Sequence, residues 1–193
     1  MSIKLPTKML VDYLTSMNKY YLDGVLVVEG KDDVSYLSSF IKTLYLTTNG
    51  YDISKEKIDF LSRVAKVNIV YLLTDNDEAG EKIASTVKSE IKEIFEIKTA
   101  KMFKNSAKKR GVAETDKTAI IEAFGNKLEN YKGQSEKVDY DLVSIISLSK
   151  EPEIIKQRII DDYRLINGNL KFLENQLQML KISKEEIKQK YGN

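Results

Sequence analysis

Short apolar runs alternate with stretches of helical period along most of the chain. Residues 6–21 place Met9, Leu10, Tyr13, Leu14, Met17 and Tyr21 at helical spacing, with Pro6 suited to a first turn and Asp23-Gly24 as the stop. Residues 25–28, Val-Leu-Val-Val, are continuously apolar and mostly β-branched, which predicts a strand buried on both faces. Asp32 then caps a helix expected to reach about residue 43, and residues 44–48 form a second strand stopped by Asn49-Gly50. Ser54 opens a helix running to about residue 66, and residues 68–74 make a third strand that stops at Asp75-Asn76-Asp77. Residues 78–94 follow as a helix, with Ile83, Val87, Ile91 and Ile94 on one face. Residues 96–103 give a weaker strand pattern, and 115–127 a helix opened by Asp116.

This order implies parallel strands joined by helical crossovers, hence a doubly wound α/β sheet. Residues 125–137 carry two glycines and many polar side chains and read as a linker. Beyond them the strand signal ends. Four helical patterns remain, at 139–147, 151–163, 169–180 and 183–191, the last opened by a Ser183/Glu186 capping box. The expected organisation is an N-terminal helical extension over 1–24, an α/β domain over 25–130 and a small all-α domain over 138–193.

Composition narrows the chemistry. The 193 residues include no histidine, no cysteine and no tryptophan. Disulfides, thiolate zinc sites, thiol nucleophiles and any Ser-His-Asp triad are therefore excluded. What remains is carboxylate, hydroxyl, lysine, arginine or tyrosine chemistry, or a metal held by oxygen. Net charge is only +2, so no global field advertises nucleic acid. No apolar run is long enough to span a bilayer and no signal-peptide pattern opens the chain, so a soluble cytoplasmic protein is the expectation.

Parallel strands of such a sheet finish at one edge, where ligands bind. Glu29 ends the first strand, and Asp75 and Asp77 end the third. Residues two apart in extended chain point the same way, so three carboxylates converge beside Gly30. Clustered carboxylates repel one another and raise each other's pKa, and a hard divalent cation relieves this. Mg²⁺, with Mn²⁺ as the alternative, suits oxygen ligands and commonly completes its shell with phosphate oxygens, which points to a phosphodiester substrate. Glu29 is then the candidate general acid or base.

The segments Val27-Val28-Glu29-Gly30-Lys31-Asp32-Asp33 and Leu73-Thr74-Asp75-Asn76-Asp77-Glu78-Ala79-Gly80 resemble the two signature motifs of the Toprim superfamily. The resemblance implies a Toprim-type parallel sheet flanked by helices and metal-dependent phosphodiester chemistry. It also implies Glu29 as acid/base residue and Asp75 and Asp77 as metal ligands, with Glu29 beside them in the metal site. A narrower likeness runs over about residues 25–190. Glu29-Gly30-Lys31-Asp32-Asp33, Thr48-Asn49-Gly50, Gly80-Glu81-Lys82-Ile83, Gly168-Asn169 with Lys171, and Leu177, Met179, Leu180 and Ile182 are similar to the bacterial ribonuclease M-five family, which trims precursor 5S ribosomal RNA. That likeness implies a Mg²⁺-dependent endoribonuclease on double-helical precursor 5S rRNA, with a 5S-binding large-subunit ribosomal protein as a further partner. Three features depart from the family pattern. A helix-period stretch precedes the first strand, Ala113-Glu114 stand where the family carries a Glu-His pair, and residues 139–193 hold nine acidic and nine basic side chains.

Substrate contacts are expected from Lys31 and Asp32 at a helix start, from Asn49 and Gly50 at the second strand's end, and from Gly80. The strongest basic run lies at 101–110, with Lys101, Lys104, Lys108, Lys109 and Arg110 and no acidic residue. Phe103 within it is a candidate base-stacking residue. Two other readings keep part of this picture: a Toprim nuclease or primase-like enzyme acting on DNA, and a non-catalytic RNA-binding factor that has kept the fold.

Overall fold

The structure is a computed structural model and describes residues 19–50, 52–98, 111–131 and 138–192. The helix expected over 6–21 lies almost wholly outside the described residues, as do Phe103, the basic run at 101–110 and part of the linker.

Strand β1 (Tyr20–Val28) leads into α1 (Lys31–Ser38), β2 (Ile41–Thr47), α2 (Lys55–Val64), β3 (Val70–Leu72), α3 (Glu78–Glu90) and β4 (Ile94–Glu96). A 3-10 turn (Val112–Glu114), α4 (Lys117–Phe124) and β5 (Leu128–Asn130) complete the sheet layer. Four helices follow: α5 (Leu142–Ser147), α6 (Pro152–Tyr163), α7 (Leu170–Met179) and α8 (Lys184–Tyr191). The strand order is β2-β1-β3-β4, all parallel, and β5 pairs antiparallel with the first residues of β1. A parallel sheet flanked by helices, followed by a helical segment, is thus what the pattern predicted.

Coverage of both sheet faces explains why residues 25–28 of β1 and all of β3 are apolar without interruption. Val25, Val27, Val70 and Leu72 face α2, α3 and the C-terminal helices, where Leu173, Leu177 and Met179 are fully buried. Leu26, Val28, Tyr71 and Leu73 face the other way, onto Leu37 of α1 and Ile120 and Phe124 of α4. Polar clamps fix the helical segment. The fully buried Gln176 amide accepts from the Ile166 amide at 2.7 Å and donates to its carbonyl at 2.8 Å. Tyr140 donates its hydroxyl to the Ile182 carbonyl at 2.6 Å, and Arg63 of α2 reaches the Tyr163 carbonyl at 2.8 Å.

Five boundaries differ from expectation, each through tertiary pairing. Tyr20 and Tyr21 are strand rather than helix, because they pair with Ile41 and Lys42 on one side and with Asn130 and Glu129 on the other. Gly24 does not end an element; at φ 139° it sits within β1 where the register with β2 shifts, and an added Cβ would lie 2.6 Å from the Ile69 carbonyl oxygen. Helix α1 stops at Ser38, so residues 41–43 join β2. Ile94, read as the last apolar position of a helix, pairs with Val70 in β4, and part of the expected linker is β5.

Candidate active site

The first strand end is held by backbone. The Thr48 amide donates to the Val28 carbonyl at 2.9 Å and the Asn49 amide to the Glu29 carbonyl at 3.0 Å. Lys57, buried in α2, donates its ammonium to the Thr47 and Thr48 carbonyls at 2.7 and 3.0 Å, so the end of β2 is tied down from below. These bonds fix where Glu29 leaves the sheet.

The Glu29 carboxylate turns to the third strand end, where its Oε1 accepts from the Asp75 amide at 2.7 Å. Asp75 in turn accepts from the Val112 amide through Oδ1 at 2.7 Å. Asp77 is the N-cap of α3, and its Oδ1 accepts from the Gly80 amide at 2.9 Å. Glu29, Asp75 and Asp77 therefore each have one oxygen fixed by a backbone amide. Gly80 is buried against this arrangement: a Cβ there would meet the Asp75 carbonyl oxygen and lie 2.8 Å from Glu29 Oε1.

Two further carboxylates join the cluster. Asp33, buried in the first turn of α1, accepts from the Gly30 amide at 2.9 Å. Glu114 sits in the 3-10 turn beside Gly111, where an added Cβ would strike the Glu114 carboxylate and lie 3.5 Å from Asp75 Oδ2. The electrostatics register the crowding. Burial first, then the charges of Asp75, Asp77 and Asp33, push the Glu29 carboxyl up to about 7, although the Asp75 amide pulls the other way. Asp75 is raised by burial and by Asp33, Asp77 and Glu114, against the Val112 hydrogen bond. Asp33 is raised by burial and by Glu114 and Asp32, against amide bonds from Gly30 and Ala113.

An oxygen-only donor set in which burial and crowding raise the pKa of Glu29, Asp75 and Asp33 fits a hard divalent cation. Among the described residues no group of three or more carboxylates forms a ready-made cage.

The remaining expected site residues divide by position. Lys31 and Asp32 are exposed in the first turn of α1, whose N-cap is Gly30 and not Asp32 as expected. Asn49 adopts φ 67° and supports Glu29 through its amide, while Gly50, at φ 117° with nothing within 4 Å of an added Cβ, serves the turn. Lys108, Lys109 and Arg110 lie outside the described residues and run directly into Gly111. Asp33 and Glu114 are the carboxylates that motif reading left out. Asp33 was visible as the second acidic residue of Glu29-Gly30-Lys31-Asp32-Asp33; for Glu114 the only signal was its place at the Ala113-Glu114 departure.

Comparison with known proteins agrees with this geometry. The Toprim-like family profile matches residues 26–109. Among curated relatives, ribonuclease M5 of Clostridium acetobutylicum is 30% identical over 170 residues, covering 84% of this chain and 89% of that protein. Ribonuclease M5 of Mycoplasma genitalium is 28% identical over 170 residues, covering 86% and 93%, and that of Bacillus subtilis 27% over 170 residues, covering 84% and 90%. With motifs, sheet and carboxylate cluster in place, the chain belongs to the ribonuclease M5 family, within the Toprim superfamily.

Proposed function

We propose that the protein is a metal-dependent endoribonuclease that trims double-helical precursor 5S rRNA in the cytoplasm. The observation that carries this reading is the link between the two strand ends: Glu29 Oε1 on the Asp75 amide, inside a group of five carboxylates. Asp75 and Asp77, with Glu29 beside them, would hold the cation through oxygens not already on backbone amides. Bound there, Mg²⁺, or Mn²⁺ in its place, supplies Lewis-acid polarisation of the phosphate.

The chain's own groups do the rest. Glu29 holds its proton to about pH 7, which suits giving or taking the proton that phosphodiester cleavage requires. The Asp75 amide fixes that carboxylate, and Gly80 leaves room for it. Lys31, with Asp32 and Asn49, lines the approach to the cluster, and the basic run with Lys108, Lys109 and Arg110 supplies charge to neutralise phosphates of the bound RNA. A 5S-binding large-subunit ribosomal protein would hold the RNA in the cleavable form.

The test incubates purified protein with precursor 5S rRNA and that ribosomal protein, in Mg²⁺ and in EDTA. Discrete trimmed products in Mg²⁺ alone are expected. No cleavage in either condition, or equal cleavage in both, contradicts the proposal.

A further inference from the structure

Strand β2 is an outer strand of the described sheet, and a groove of about 730 Å³ runs along it. One wall is α1, with Lys31, Val34 and Ser38; the other is α7 and the turn after it, with Lys171, Phe172 and Lys181. Between them β2 contributes Lys42 and Tyr45, which alternate to opposite faces of the strand, Tyr45 toward the α1 side. We propose that this groove is a binding path for a single-stranded segment of RNA that leaves the carboxylate cluster past Lys31. The proposal builds on the ribonuclease reading and adds where the substrate's flank goes.

Charge selects the occupant. Lys31, Lys42, Lys171 and Lys181 are all exposed, and among the described residues none of the four takes part in an ion pair. Asp23 is the one acidic side chain of the described lining, and the Tyr21 hydroxyl faces it at 3.4 Å. A segment of zero net charge thus presents two of its nine cations to this one groove. Polyanion affinity grows with each phosphate neutralised. Tyr45 and Phe172 are half-buried, packed against the α1-side and α7-side cores respectively, with their remaining surface lining the groove, and sequence-tolerant binding of single strands uses aromatic surface.

Position selects the strand's route. Lys31 follows Gly30, two residues from Glu29, so the groove opens at the carboxylate edge. Seven residues of β2 give it a length of about 20 Å. Partly apolar walls facing each other across an extended floor suit a single strand, whose bases are free to stack.

The test uses full-length protein and two labelled RNAs, a blunt precursor duplex and the same duplex with a single-stranded flank. Fluorescence anisotropy in EDTA compares wild type with Lys42→Glu/Lys171→Glu/Lys181→Glu, and with the Lys→Arg triple as the charge-keeping control. The glutamate variant should lose affinity for flanked RNA by about tenfold, and its salt slope should fall by about 2, as loss of three phosphate contacts on a single strand predicts. Its affinity for blunt duplex should change less, and the arginine variant should restore wild-type binding. Equal loss on both RNAs, or no loss, overturns the groove. Loss of affinity for the 5S-binding ribosomal protein with RNA affinity intact overturns it in favour of a protein occupant. Cleavage by wild type in Mg²⁺ is read alongside: if wild type fails to cut but the flank effect stands, the ribonuclease reading fails and the groove survives.

Discussion

Gly80→Ala is the smallest change that reaches the centre of the site. The new methyl would meet the Asp75 carbonyl oxygen and lie 2.8 Å from Glu29 Oε1 and 2.9 Å from the Asp75 carbonyl carbon. Backbone on one side cannot yield cheaply, so the Glu29 carboxylate must give way or α3 must shift outward. Overpacking of this kind costs about 1–3 kcal/mol, and the helix propensity gained on replacing glycine by alanine returns about 1 kcal/mol. The net loss is about 0–2 kcal/mol, equivalent to a fall of at most about 8 °C in Tm for a chain of this size. Catalysis should suffer more than stability. Displacing a reacting group by about 1 Å costs about 100-fold, and a shift of half that would cost roughly 10-fold. Steady-state cleavage of precursor RNA, with melting followed in parallel, should show kcat/KM down by about 10- to 100-fold while the fold persists. Gly125→Ala is the control, since its φ of 55° strains any side chain but open space surrounds it; it should lower Tm and spare cleavage. Cleavage by Gly80→Ala within about threefold of wild type, at unchanged Tm, would refute the packing argument.

Three further outcomes are expected. Glu29 holds its proton more tightly folded than unfolded, so the folded state binds more protons between pH 4.5 and about 7 and this group's contribution to stability falls as pH rises through that window. Melting in EDTA across that range should therefore show a downward slope in wild type relative to Glu29→Gln, and a steeper slope in the variant would contradict the shift. Mg²⁺ should raise the wild-type Tm most at the alkaline end, where the carboxylates are ionised; a gain independent of pH would count against carboxylate coordination. Lys57→Met leaves the Thr47 and Thr48 carbonyls without their buried donor and should cost about 1–3 kcal/mol by chemical denaturation, with a null result removing Lys57 as the anchor of β2.

The sequence was most legible where local pattern and tertiary role coincide. Residues 25–28 and 70–72 are apolar because both sheet faces are covered, and that shows directly in the letters. The helix starts at Ser54, Asp77, Asp116 and Ser183 are true caps, each accepting a backbone amide through its side chain. Boundaries failed where a period was accidental. Ile83, Val87, Ile91 and Ile94 continue one helical stripe on paper, yet α3 ends at Glu90 and Ile94 pairs with Val70. Tyr20 and Tyr21 extend the helical spacing of the residues before them, but pairing with β2 and β5 makes them strand.

The site divides the same way. Glu29 and Asp75 lie where strand ends had to bring them, and their hydrogen bond joins residues 46 apart in sequence. Glu114 could not be read from its neighbours, because its nearness to Asp75 is made by the 3-10 turn that also gives the Val112 amide to Asp75. Asp33 resembles an ordinary first-turn acid, and its burial against the Gly30 amide is a tertiary fact. The missing histidine keeps its meaning throughout: proton transfer here has carboxylates to work with, and burial, helped by the neighbouring charges, lifts one of them to about 7.

The central claim is that this carboxylate cluster cuts RNA. Glu29→Gln tests it most directly, since a carboxamide can still accept from the Asp75 amide while losing the charge and the proton. Wild type and variant, matched for melting behaviour, are incubated with precursor 5S rRNA and its ribosomal protein in Mg²⁺, and the RNA ends are mapped. Wild type should yield discrete trimmed ends, with the variant's rate lower by about 100-fold or more. Equal rates and identical ends from both proteins would contradict the account.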